Sequence, residues 1–301
     1  MKKIFSAAVA VCMICAALLA FPVFAEETAE LPTSGKVGST EISWSFDAQS
    51  GRLELSGKGA LLIEGDTAPW DAFPDRVHSL VVGDGITEID SFAFDNMSAL
   101  SAITLPYSIE YIGENAFYNT YYYNHPDNQK NGVLYIGNCL IKAENDAKKS
   151  YAVKDGTRVI AAYAFEGCDS LSSVTLPEGV THINTGAFNG CESLKRITLP
   201  STLAKVGNGA FADCTALEKV TYRADKDSYA KVFIGYHNDD LRSADTVFDP
   251  IPDETTADPS VTTKAPGSLP SLAGCSAVGL PLLFAAVAAA VCIAVVTVNK
   301  R

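Results

Sequence analysis

The chain is short of the groups that most enzyme chemistry needs. Only four histidines stand among its 301 residues, His78, His125, His182 and His237, and no two are spaced i, i+4 as a helical metal pair would be. Each reads as a surface residue. Gly57-x-Gly59 has neither the third glycine nor the following helix of a phosphate loop, so it reads as a tight turn. Asn238-Asp239-Asp240 lacks the alternating ligands and central glycine of a calcium loop, and reads as a solvated acidic turn. No catalytic set converges, and the expectation is a protein that is not an enzyme and holds no metal or cofactor.

Basic charge is scarce too. Lysine and arginine number 23 against 35 aspartates and glutamates. The two hydrophobic ends carry four of the 23 and none of the 35, which leaves 19 against 35, a net −16. Such a field repels phosphate backbones and favours cationic partners, so nucleic acid is excluded as a ligand.

Cysteine is present but not as a disulfide framework. Of eight, Cys12 and Cys15 lie in the first 25 residues, and Cys275 and Cys292 lie near the other end. Cys139, Cys168, Cys191 and Cys214 remain. The last three are 23 residues apart, and Met97 fills the same slot elsewhere, so the slot reads as a place for a small apolar filler. Stacked coils would also bring these sulfurs within bridging reach, although a ladder of three leaves one over.

What the chain does have is periodicity. Ala-Phe pairs end at Phe94, Phe117, Phe165, Phe188 and Phe211, at intervals of 23, 48, 23 and 23. Counting from each phenylalanine, apolar residues return at steps 3, 6, 9, 11, 15, 18 and 22. Steps 9 and 11 are strand-spaced, as in Val174 and Leu176 or Ile197 and Leu199. Pro106, Pro177 and Pro200 follow where no ladder donor is needed. Gly85, Gly156 and Gly179 then suit a turn with positive φ. A coil of 23 residues cannot stand alone, so coils must stack into a solenoid.

The remaining segments fall around that solenoid. Residues 1–25 read as a secretory signal peptide, with Lys2 and Lys3 before an apolar run and a Val23-x-Ala25 cleavage site. Residues 26–76 read as a leader and a β-rich N-terminal cap, in which Ile42-x-Trp44-x-Phe46 and Leu53-x-Leu55 flank a turn. The solenoid occupies 77–222, with an insert at 118–142 that ends in a tight hairpin across Gly137-Asn138. Spacing leaves open whether Leu134 to Ile136 joins the main sheet or projects from it. Residues 223–248 read as a C-terminal cap, and 249–277 as an extended linker rich in proline and threonine. Residues 278–298 carry no charge over a length that spans a bilayer. The tail 299–301 ends in Lys300 and Arg301, which places the amino end outside and the carboxyl end in the cytoplasm. The lipid bilayer is thus one expected partner, held through the C-terminal helix.

The run Phe165-Cys168-Leu171-Val174-Leu176-Pro177-Ile183, repeated as Phe188-Cys191-Leu194-Ile197-Leu199-Pro200-Val206, resembles the BspA-type bacterial leucine-rich repeat. The resemblance covers about Val77 to Tyr222 and extends more weakly to Leu134-Tyr135-Ile136 and to Val153-Lys154-Asp155-Gly156-Thr157. It implies an α/β-type solenoid, a right-handed leucine-rich repeat horseshoe with one parallel β-sheet and a mostly irregular or short helical convex side. It also implies display on bacterial cell surfaces and a part in adhesion or host interaction.

Function on such a repeat would lie in its outward positions. Step 10 presents Thr104, Thr175, Thr198 and Thr221, which could form a hydroxyl ladder, and step 8 adds Arg196 and Lys219 as a small basic spot. Tyr121, Tyr122 and Tyr123 of the insert are the other candidate contacts, because exposed tyrosines favour interfaces; the alternative is that they pack the insert onto the coil. The expected activity is binding of an extracellular protein or glycan. A stalk without a specific ligand is the second reading, and an extracellular hydrolase the third.

Overall fold

A computed structural model describes residues 32–145 and 149–250, which belong to one unit. The expected signal peptide, the expected linker beyond Pro250 and the apolar run 278–298 lie outside the described residues. Among the described residues, no helix is long and apolar enough to cross a membrane.

The chain opens with β1 (Ser34–Lys36), β2 (Ser43–Asp47), β3 (Arg52–Ser56) and β4 (Gly59–Leu61). The β2-β3 hairpin caps the solenoid by extending its sheet. Leu53 pairs in parallel with Leu80 of β5 (Ser79–Val82), while Trp44 and Phe46 pack on Trp70 and Phe73. The first two coils then supply β6 (Ile86–Ile89), β7 (Ala102–Thr104) and β8 (Tyr111–Ile112). The insert contributes α1 (Tyr121–Asn124), β9 (Gln129–Lys130), β10 (Val133–Ile136) and β11 (Cys139–Ala143). From there the coils run through β12 (Ser150–Ala152), β13 (Val159–Ile160), β14 (Ser173–Thr175), β15 (His182–Ile183), β16 (Arg196–Leu199), β17 (Lys205–Val206) and β18 (Lys219–Tyr222). The end is closed by α2 (Lys226–Tyr229), β19 (Phe233–Ile234), α3 (Asp239–Ser243) and β20 (Asp245–Phe248).

Among the described residues, the expectation of one parallel sheet is corrected to four sheets that form two ladders. The front ladder joins steps 8 to 11 of successive coils, as β5-β7 and as β12-β14-β16-β18-β20. A second ladder joins the short segments around step 18, as β4-β6-β8 and as β11-β13-β15-β17-β19. It arises because the β-branched residues Ile89, Ile112, Ile160, Ile183 and Val206 recur in register and hold their neighbours extended. Within each block, a coil therefore bonds to the next along two strands. A third row of bonds runs at the Ala-Phe step, where Phe94, Phe165 and Phe188 donate to the carbonyls of Ala116, Ala187 and Ala210 at 2.7–2.9 Å.

Side chains of equal step stack on one another. Trp70, Phe94 and Phe117 form one column with centroids 5.1 and 5.7 Å apart. Phe165, Phe188 and Phe211 form another, at 4.9 and 5.0 Å. The residues two before and two after these phenylalanines take left-handed φ, for example +58° at Phe92, +57° at Tyr163, +61° at Gly186 and +56° at Asp213. At Gly186 a Cβ would clash with the Tyr163 ring, so contact favours glycine there where φ alone admits other residues.

Both ladders break at the insert. The β10-β11 hairpin turns across Gly137 and Asn138, and β11 pairs in parallel with β13. Leu134 to Ile136 thus belongs to the second ladder and not to the front sheet. The free edge of β8 is met by a side chain in place of a strand. Asn184 Oδ1 accepts the Ile112 N–H at 3.0 Å, and its Nδ2 donates to the Glu110 carbonyl at 3.0 Å. Asn184 is buried, and nearby the Ala162 N–H donates to the Ile112 carbonyl at 2.9 Å.

The thiols are core. Cys139, Cys168, Cys191 and Cys214 are free and buried. Cys191 and Cys214 donate to the carbonyls of Phe165 and Phe188 at 3.0 and 3.1 Å. Burial pushes Cys139 up to about 12, Cys168 to about 11 and Cys214 to about 12, and raises Cys191 further. A thiol raised in the fold binds its proton more tightly there than in the unfolded chain. Its stabilising contribution is complete below pH 9 and is lost as pH rises from about 9 through the folded values. We expect a thiol reagent to label none of the four at pH 8 in the native protein and all four in urea. Labelling of Cys191 or Cys214 without denaturant would contradict this.

Candidate functional site

The front of the second block carries an ordered array. Thr175, Thr198 and Thr221 are register neighbours on β14, β16 and β18, between Ala152 on one side and Val247 on the other. Strands in such a ladder lie about 4.8 Å apart, so the three hydroxyls form a row. Thr104 is not part of it, because β7 ends the other front sheet. The insert separates them, and the expected ladder of four is a ladder of three.

Two positions before those threonines, Ser173, Arg196 and Lys219 form a parallel row. Arg196 and Lys219 are exposed, and neither has a carboxylate within salt-bridge distance among the described residues. Asp245 follows Lys219 in register and limits the basic spot on that side. The side chains alternate outward at 196, 198, 219 and 221 because Ile197, Val220 and Tyr222 fill the core below.

The three tyrosines of the insert divide by environment. Tyr123 is buried in α1, with Lys142 Nζ 4.9 Å from its ring centroid, and burial raises its phenol. It packs the insert down. Tyr121 is 49% exposed and lies against His125. Tyr122 is half-buried; its N–H donates to Leu100 and its hydroxyl to the Tyr135 carbonyl.

Tyr122 also borders a hollow of about 860 Å³, together with Lys130, Asn131, Tyr135, Tyr151 and Lys154. Tyr135 and Tyr151 share a hydrogen bond at 3.0 Å between hydroxyls, and the Lys154 N–H donates to Tyr135 Oη at 3.3 Å. Burial, then the bond to Tyr135, raises the Tyr151 phenol. Tyr135 and Tyr151 are residues that sequence reasoning did not single out as a site. Their signal was the 48-residue interval, which marks where one coil loses its regular neighbour.

A smaller polar cluster lies at the junction of the blocks. Arg158 approaches Glu110 at 3.8 Å and lies over the Tyr107 ring at 4.6 Å, while His182 lies 3.9 Å from Glu110. Burial lowers the His182 pKa, and Glu110 opposes that shift. His78 and His237 are exposed and His125 is half-buried. Among the described residues, no group of three His, Cys, Asp or Glu side chains could hold a metal ion.

Stacked 23-residue coils with a parallel front ladder and an open outward face define a leucine-rich repeat solenoid. The sequence profile of the BspA type leucine rich repeat region matches residues 74–149 and 144–235, in six copies. The chain belongs to this family. No curated protein matches it in sequence. Solved structures similar to it include a leucine-rich repeat protein from Eubacterium ventriosum, with 19% identity over 64% of this chain and 72% of that one at a TM-score of 0.28. Another is the leucine rich repeat protein of T. pallidum, with 22% identity over 67% and 82% and a TM-score of 0.26. A third, described as a leucine rich cell surface protein, comes from Faecalibacterium prausnitzii, with 16% identity over 67% and 98% and a TM-score of 0.20. Likenesses of this size carry no functional weight.

Proposed function

We propose that this is a membrane-anchored bacterial cell-surface protein whose front sheet binds an extracellular partner protein, in adhesion or host contact, and that it is a scaffold and not an enzyme. The observation that carries the reading is the exposed pair Arg196 and Lys219, unpaired beside the Thr175-Thr198-Thr221 row in an acidic chain. Exposed basic side chains without a salt-bridge partner steer an acidic surface and add specificity more than affinity. The threonine row supplies donors and acceptors in fixed register. Surface display rests on the signal peptide, the linker and the apolar run read from the sequence.

The test uses the full chain in mild detergent against immobilised matrix proteins and, separately, glycans and cell-wall preparations. Saturable binding to a protein, weakened about tenfold or more by joint Arg196→Glu and Lys219→Glu replacement, is the expected result. Binding indifferent to that double change would reject the face. Failure to bind any preparation would leave a stalk, and turnover of a glycan or peptide would refute the scaffold reading. Protease added to intact cells should remove the solenoid and leave a membrane fragment; complete protection would refute the anchoring.

A further inference from the structure

The front ladder is interrupted at the insert. β7 ends one front sheet and β12 begins the other, although in an uninterrupted repeat they would be neighbours. The side chains on both sides record the loss. Ile103 and Leu105 of the β7 coil and Tyr151 of β12 are only half-buried, whereas Val174, Leu176, Ile197 and Leu199 in the same steps are buried. The large hollow adjoins this edge. Ser150, Tyr151 and Ala152 all line it, and consecutive strand residues that point to opposite faces can border one space only if it lies along the strand's edge.

That edge carries free backbone groups. The Val153 N–H donates to Thr175 of β14, so by alternation the N–H and C=O of Ala152 point away from β14, into the hollow. Lys130 and Lys154 stand on its walls, exposed and without a carboxylate within salt-bridge distance among the described residues, and Asp127 is the one carboxylate among the residues that line it. Lys154 Nζ lies 5.7 Å from the Tyr135 ring centroid, which occupies one aromatic face that a sugar would need.

We infer that this gap takes an extended peptide segment of a partner protein, added as a strand along the free edge of β12, with an acidic side chain facing Lys130 and Lys154. Main-chain bonds to Ala152 supply affinity, and the half-buried Tyr151 gains cover. This surface is the edge of the sheet and not its front, so the inference stands or falls apart from the partner-binding face proposed above.

The experiment pans a phage-displayed library of linear random peptides on the full chain in mild detergent, with a glycan array as the parallel arm. Enrichment of peptides bearing an acidic residue is expected. Ala152→Pro removes the free N–H and leaves the bonds to β14 in place. It should weaken a selected peptide by at least about tenfold, and Lys154→Glu should weaken it too. Joint Arg196→Glu and Lys219→Glu replacement should leave it unchanged. Selected peptides N-methylated at alternate residues should lose binding in one phase and keep it in the other, which tests strand pairing even if the Ala152→Pro chain is unstable. No enriched peptide, peptides indifferent to both Ala152→Pro and N-methylation, or glycans captured in their place would each overturn the inference.

Discussion

Replacement of Phe188 by alanine should lower stability by about 3–5 kcal/mol, the largest loss expected of any single change in the second block. Phe188 is fully buried and sits mid-column, with Phe165 at 4.9 Å and Phe211 at 5.0 Å. Removing its ring takes a packing surface from two coils at once, and the left-handed residues on either side of it leave the backbone little room to collapse into the space. A coil depends on its neighbours for burial, so the damage should spread. Hydrogen exchange should accelerate in β14, β16 and β18 together, while the β2-β3 hairpin keeps its protection. A urea midpoint close to that of the parent chain would refute this account.

Asn238 is the second sensitive position. It is wholly buried, and its Oδ1 accepts the Phe211 N–H at 2.9 Å, the bond that an Ala-Phe step of a following coil would otherwise make. Its Nδ2 donates to Gly207, Gly235 and Tyr236 at 2.9–3.2 Å. One amide therefore ends the third row of coil-to-coil bonds. Asn238→Ala leaves a buried donor and buried carbonyls unpaired, each costing about 1–3 kcal/mol, and should destabilise the chain by roughly 2–5 kcal/mol in total. Asn238→Asp keeps the acceptor but turns a carboxylate oxygen toward three carbonyls in a buried site, so it should cost at least as much as alanine. Exchange measurements should show α3 and β20 opening first; uniform loss of protection across both blocks would contradict a local capping role.

The repeat was legible because burial recurs by residue type. Cys168, Cys191 and Cys214 marked one slot, and the phenylalanines marked another, with no partner information needed. The second ladder was not, since Tyr111–Ile112 or His182–Ile183 is too short for alternation to show. The left-handed turns left a trace that was available: Asn96, Asn115, Asn119, Gly167, Gly186, Gly190, Gly209 and Asp213 are residue types that tolerate positive φ. Phe92 and Tyr163 hid the pattern by breaking it. At the candidate sites, the steps placed Arg196 beside Lys219 and Thr175 beside Thr198, but they also put Thr104 in the row, because spacing counts repeats and is blind to a break between sheets. The division of Tyr121, Tyr122 and Tyr123 depends on contacts with Lys142 and Tyr135, which no local pattern encodes.

The pairing of Ile112 with Asn184 also bears on how the molecule is assembled in time. The two residues are 72 apart, so a chain that emerges from its amino end presents the open edge of β8 well before its partner exists. At roughly 5–20 residues per second, that interval is about 4 to 14 s. Throughout it, the edge of β8 stays exposed beside that of β7, the kind of surface that recruits the wrong strand. The order of synthesis makes that edge the stage most open to misassembly, and a factor that shields nascent strands would act there.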